Sequence, residues 1–143
     1  MSNLDGKLSL SGKVAVVTGG ARGMGAAHCI ALAAQGASVV VCDVLDVEGA
    51  AVAEQVGGTY LHLDVTSESD WESAVTATEA AYGPINILVN NAGVVGLGRV
   101  DKTELEEWNR IVGINLTGTF LGIRYCADSM KKAGSGVIVN ISS

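Results

Sequence analysis

The sequence predicts an α/β fold on a doubly wound parallel sheet, and three observations carry that prediction. Apolar strand-like runs alternate five times with segments of helical spacing. The last run, Val137 to Ile141, is apolar except for Asn140, the pattern of a strand buried on both faces within a parallel sheet. The first run leads directly into a glycine-rich turn and an Ala-rich helix, the order expected of right-handed βαβ units.

Each element follows from its own residues. The first strand is KVAVVTG (13–19), and the helix after it spans Gly23 to Gln35, with Gly36 as its stop. SVVVCDV (38–44) is the second strand, Val47 to Val56 the second helix, and TYLHLDV (59–65) the third strand. The next helix opens at TSESDW, where Ser67 and Asp70 have capping-box spacing, and its positions 71, 74, 75, 78 and 82 trace one apolar face. INILVNNAG (85–93) is the fourth strand. A short helix starts at Thr103, with Glu106 three residues on, and turns Leu105, Trp108 and Val112 the same way. Trp71 and Trp108 are both expected in the core. A longer helix runs from about Asn115 to Lys132, and GVIVNISS (136–143) is the fifth strand. In the strand order 3-2-1-4-5-6 that fifth strand lies at an open edge. Uncharged apolar edges are aggregation hazards that natural sheets cover or charge. The sheet therefore reads as truncated after its fifth strand, and residues 1–143 are expected to aggregate or stay molten alone.

Composition removes several functions. With 143 residues, 48% apolar and 17% charged, the chain has material for one folded domain. Nine basic against fifteen acidic residues give a net charge of −6, which offers no surface to a nucleic acid. The N-terminus has no apolar signal-peptide core, and no stretch approaches the ~18 apolar residues of a membrane span. Cys29, Cys42 and Cys126 are widely spaced within apolar segments and lack zinc spacing, so buried thiols, no metal and a cytoplasmic location are expected. His28 and His62, within an apolar helix and strand, read as structural.

The chemistry starts at TGGARGMG, Thr18 to Gly25. Glycines between a strand and a helix let backbone approach a pyrophosphate, while the helix N-terminus offers unpaired N–H groups and the positive end of its dipole. Asp43 ends the second strand, 18 positions after Gly25. A carboxylate there accepts hydrogen bonds from ribose hydroxyls and repels a 2′-phosphate. Together these predict a Rossmann-like dinucleotide site.

The loop resembles the TGxxxGxG turn of the short-chain dehydrogenase/reductase family. LSGKVAVVTGG is similar to that family's opening strand, LDV (63–65) to its adenine-contacting segment, and NNAG (90–93) to its central-strand motif. NLTG (115–118) resembles its helical Asn motif and NISS (140–143) the strand presenting its catalytic Ser, here Ser143. Within the family, GGARGMG, CDVLDVEG and HLDVTSESDW look nearest to bacterial NAD-dependent 3α(20β)-hydroxysteroid dehydrogenases. The chain then reads as the N-terminal part of one dinucleotide-binding domain.

The resemblance implies an NAD-dependent oxidoreductase interconverting a secondary alcohol and a ketone, steroid-like substrates among them. The cofactor would be held by Gly19, Gly20, Ala21, Arg22, Gly23, Met24, Gly25, Asp43, Val44, Asp64, Val65, Asn91, Ala92 and Gly93. The implied catalytic set is Asn, Ser, Tyr and Lys, of which these residues supply Asn115 and Ser143. Tyr60, Tyr82 and Tyr125 have Asp64, Asn86 and Ser129 four positions on, so none forms the family's YxxxK pair and residues 1–143 alone are expected to be inactive. Asn115 has two readings, holder of a water in a proton relay or simple helix N-cap. Arg22 points toward NADP and Asp43 toward NAD, and the cost of desolvating a carboxylate against a phosphate favours NAD. Asn90 is expected to tie the central strand to its neighbours. A homotetramer formed through the helix beginning near Asn115 is also implied. The alternative function is a non-catalytic NAD-binding sensor or partner subunit.

Overall fold

The computed structural model describes residues 9–142. Five parallel strands form one sheet in the order β3-β2-β1-β4-β5. In chain order the strands are β1 (Val14–Thr18), β2 (Ser38–Asp43), β3 (Thr59–His62), β4 (Ile87–Asn90) and β5 (Val137–Asn140). The helices are α1 (Gly23–Ala34), α2 (Asp46–Val56), α3 (Glu68–Tyr82), α4 (Leu105–Val112) and α5 (Gly118–Ala133). The third and fourth strands are shorter than their apolar runs, because the last residues of each run leave the sheet to form the mouth of a cleft.

Alternation along the central strands builds two cores. Val16 of β1, Val40 and Cys42 of β2 and Leu88 of β4 face Trp71, Leu121, Cys126 and Met130 from α3 and α5. Ala15 and Val17, Val39 and Val41, and Ile87 and Val89 face the other way, with Cys29 of α1 and Val52 and Ala53 of α2. This two-faced burial is why the strands read as unbroken apolar runs. Buried polar groups tie the layers together. Asn86 Oδ1 accepts the Val14 N–H at 2.9 Å, and Ser129 Oγ accepts the buried Ile85 N–H at 2.9 Å. Asn90 donates from Nδ2 to Asn140 Oδ1 at 2.9 Å, joining β4 to β5 as expected.

Four expectations are corrected. β5 is not buried on both faces: it pairs with β4 alone, and Val137, Ile138 and Val139 are 58%, 38% and 41% exposed. It is last in the strand order, so it has one neighbour among the described residues. Trp108 is 56% exposed with Leu105 beside it on an exposed face, whereas Trp71 is fully buried. Finally, the two expected helices are one helical run. A π turn at Gly113–Thr117 joins α4 to α5 with right-handed helical backbone at both junctions. Asn115 therefore lies inside a helix, and the N-cap reading fails. α4 also begins at Leu105 rather than Thr103: Glu104 precedes it without a side-chain cap, and Thr103 Oγ1 donates to Arg99 O instead. The cap at α3 forms, with the Asp70 N–H donating to Ser67 Oγ at 3.2 Å.

Candidate active site

The carboxyl ends of β1, β2 and β4 open into a cleft of about 410 Å³. One wall is the turn between β1 and α1. Gly19 has φ +62°, and a Cβ there would sit 2.9 Å from Ala92 Cα; Gly25 is tighter still, since a Cβ would land on the Gly19 carbonyl oxygen. The glycines thus let the turn, the helix and the 91–93 segment meet at backbone contact. Thr18 and Asn91 lock that meeting. Thr18 Oγ1 accepts the N–H groups of Asn91 and Ala92 at 3.0 Å each, and Asn91 Nδ2 donates to Thr18 O and Gly19 O at 3.1 Å each.

The N-terminus of α1 faces this cleft without a side-chain cap: Arg22 occupies the cap position, and no acidic residue lies in the first turn. Its first N–H groups and dipole are left for an anion. Gly23, with φ +55° and open space around it, exposes that end.

Asp43 closes the next wall. Its Oδ2 accepts the Ala21 N–H at 3.0 Å, and its Oδ1 accepts the N–H groups of Val44 and Leu45 at 2.8 and 3.1 Å. The carboxylate is thereby fixed against the turn, with lone pairs remaining for a ligand hydroxyl. The third wall is Leu63 to Val65, held from α3. The Asp64 N–H donates to Asp70 Oδ2 at 2.9 Å, and Trp71 Nε1 donates to Val65 O at 3.0 Å.

Of the residues expected to hold a cofactor, Gly19, Arg22, Gly23, Met24, Gly25, Asp43, Val44, Asp64, Val65, Asn91, Ala92 and Gly93 line the cleft. Gly20 and Ala21 do not. Both are buried under the turn, where a Cβ on Gly20 would meet Val41. Leu45, Leu63, Val94 and Ile114 also line it. Leu63 belongs to the LDV segment that resembles an adenine contact, and Leu45 lies two positions after Asp43, whereas Val94 and Ile114 carry no such signal in the sequence. Asn115 stands at the rim: its Oδ1 accepts the Val94 N–H and its Nδ2 donates to Val94 O, both at 2.8 Å. Ser143 lies outside the described residues.

The titratable groups divide sharply. Burial pushes the Cys29 and Cys126 thiols up to about 12 and raises Cys42 further, so the three free cysteines are inert. His62 is not enclosed in an apolar strand, as its neighbours implied. It is exposed, its Nδ1 lies 2.6 Å from Asp46 Oδ1, and that hydrogen bond raises its pKa.

Comparison with known proteins agrees with this geometry. Residues 13–143 match the family model for short chain dehydrogenase. The chain is 52% identical over 136 residues to the 3-alpha-(or 20-beta)-hydroxysteroid dehydrogenase of Mycobacterium tuberculosis, covering 94% of this chain and 52% of that protein. It is 48% identical over 136 residues to the cyclopentanol dehydrogenase of Comamonas testosteroni, covering 92% of this chain and 54% of that protein. Against the trans-4-hydroxycyclohexanecarboxylate dehydrogenase of Sinomonas cyclohexanicum it is 44% identical over 142 residues, with 92% and 54% covered. A solved chain described as ribose-5-phosphate isomerase from Brucella melitensis superposes with a TM-score of 0.88 at 35% identity, covering 93% of this chain and 52% of that one. The chain spans about half the length of the curated relatives it matches. Strand order, glycine turn, acidic β2 terminus and these matches converge: the chain belongs to the short-chain dehydrogenase family.

Proposed function

We propose that residues 1–143 form the dinucleotide-binding part of an NAD-dependent oxidoreductase that interconverts a secondary alcohol and a ketone. The observation that carries this reading is the uncapped, glycine-cleared N-terminus of α1 facing the same cleft as the Asp43 carboxylate. The cleft fits the cofactor: Gly23 leaves open space at the uncapped helix end, and the acceptor at Asp43 suits ribose hydroxyls better than a 2′-phosphate. Bound NAD supplies the hydride acceptor.

The chain's own residues do the rest. The turn from Gly19 to Gly25 holds the pyrophosphate, Asp43 and Val44 the adenosine ribose, Asp64 and Val65 the adenine, and Asn91 to Gly93 the nicotinamide-side ribose. Gly20 and Ala21 support the turn from beneath. Asn115, through its clasp on Val94, keeps the reacting end of the cleft in shape, and Ser143 donates a hydrogen bond to the substrate oxygen as its charge changes. The reading requires a Tyr–Lys pair supplied from outside residues 1–143.

The names of the relatives narrow the substrate. Cyclopentanol, hydroxycyclohexanecarboxylate and a 3-alpha-hydroxysteroid carry a secondary hydroxyl on a saturated ring, and we assign that class here. No helix among the described residues is long and apolar enough to cross a membrane. The exposed Trp108, Leu116, Phe120 and Ile123 along the α4–α5 run suit pairing with a second copy in a homotetramer, which light scattering on the full-length protein tests. For the function itself, the full-length protein is assayed for NAD reduction with cyclopentanol, cyclohexanols and hydroxysteroids. Turnover of ring alcohols supports the reading; NAD binding without turnover of any alcohol or ketone overturns it.

A further inference from the structure

Behind the cleft, three side chains that do not line it form a chain that ends on the Asp43 carbonyl. Tyr60 Oη lies 2.7 Å from Asp43 O and 2.6 Å from Asp46 Oδ1. His62 Nδ1 lies 2.6 Å from the same Asp46 oxygen, and as its neighbour is a carboxylate the ring nitrogen carries the proton. Tyr60 and His62 stand two apart on β3 and so share one side of the strand, while Asp46 opens α2. The Tyr60 ring is pinned against α2 at Gly49, where a Cβ would collide with it.

A phenol has one proton, and here it has two acceptors. The Tyr60 hydroxyl is therefore a shared donor bridging Asp46 Oδ1 and the Asp43 carbonyl, and His62, donating to the same Asp46 oxygen, holds that carboxylate in place behind it. That carbonyl also accepts the Leu63 N–H at 2.9 Å. The Asp43 backbone is thus held by two donors on the side away from the turn, while its carboxylate holds Ala21, Val44 and Leu45 on the other.

We propose that Tyr60, backed by Asp46 and His62, is a positioning residue for cofactor recognition: its hydroxyl anchors the Asp43 carbonyl so that the carboxylate keeps its aim into the cleft. This rests on the reading of the cleft as an NAD site. A charged carboxylate that drifts from its place both loses the ribose and repels a 2′-phosphate less, so Tyr60 acts on affinity and on selectivity together.

The test uses calorimetric titration of the full-length protein with NAD and with NADP, alongside steady-state kinetics. Tyr60→Phe keeps the ring and removes the anchor. Losing one such bond is expected to raise the NAD Kd about five- to tenfold and to narrow the NAD-over-NADP ratio, with the change in KM for NAD rather than in kcat. In an Asp43→Ala background the same substitution should lose most of its effect, since the residue acts through that carboxylate. His62→Ala is the second variant, expected to shift NAD Kd in the same direction by a smaller factor, and it keeps the test decisive if Tyr60→Phe fails to fold. An unchanged NAD Kd and cofactor ratio in the folded variants overturns this inference alone. An equal effect of Tyr60→Phe with and without Asp43 also overturns it. Failure of the wild-type protein to bind either cofactor overturns the NAD reading, and this inference with it.

Discussion

Replacing Gly25 by Ala asks whether the turn is built on close backbone approach. On helix propensity alone, the change favours the variant by up to about 1 kcal/mol. Packing reverses the sign. The new Cβ lands on the Gly19 carbonyl oxygen and 2.6 Å from Asn91 Nδ2. That amide donates to Gly19 O and Thr18 O at 3.1 Å each, so the turn cannot move without opening both bonds. Two such bonds contribute about 1 kcal/mol each, and forced overpacking costs about 1–3 kcal/mol. After subtraction of the helical gain, the net loss is about 2–4 kcal/mol. At about 2–4 °C per kcal/mol for a domain of family size, the melting temperature should fall by roughly 4–16 °C. Scanning calorimetry of the full-length variant reads this directly, and an NAD titration should show weaker binding in parallel. Gly23→Ala is the control: with open space around Gly23 it meets no clash, and its cost is the left-handed backbone penalty of about 1–2 kcal/mol. A Gly25→Ala protein melting at or above wild type with undiminished NAD affinity would refute the close-approach argument.

Asp43→Ala removes both the ribose acceptor and the repulsion of a 2′-phosphate, so kcat/KM with NAD should fall relative to that with NADP; an unchanged ratio counts against the role given to this carboxylate. Ser67→Ala deletes the cap on the Asp70 N–H and should destabilise by about 0.5–2 kcal/mol in denaturant unfolding, with a cost below that range showing the cap to be idle. Hydrogen bonds from Tyr60 and then His62 hold Asp46 below its ordinary range, and the Asp46 contact in turn raises His62, with Asp70 and Asp64 adding to the His62 shift. Stability from His62 is therefore present below its ordinary 6.5 and lost as pH rises through the raised value; that from Asp46 is present above its ordinary 3.8 and lost as pH falls through the lowered one. An NMR titration of His62 should give a midpoint above 6.5 that drops in Asp46→Asn, and no drop would exclude the pair as its cause.

The elements most legible in the sequence are those governed by local rules. Val39 to Cys42 reads as a strand because both faces are buried, and Trp71, Ala74 and Thr78 read as a helix face because they are one. What failed depended on partners distant in sequence. Gly113, Asn115 and Gly118 look like a helix break, yet the helix continues through them as a π turn, with Asn115 drawn to Val94 and Gly118 packed on Val65. Trp108 belongs to an amphipathic pattern, but its face finds no core among the described residues. In the cleft, glycine spacing and an acid at a strand end identified most of the lining, because backbone approach and charge are written in residue type. The Tyr60–Asp46–His62 cluster left only one trace, two polar residues two apart on one strand, since the carboxylate joining them comes from the next helix.

The proposed NAD site rests on an uncapped helix N-terminus and one carboxylate at the same cleft. The measurement that tests it most directly is parallel equilibrium titration of the full-length protein with NAD and NADP. Saturable binding of both is expected, with NAD tighter by at least about tenfold. Tighter binding of NADP, or no binding of either, would contradict it.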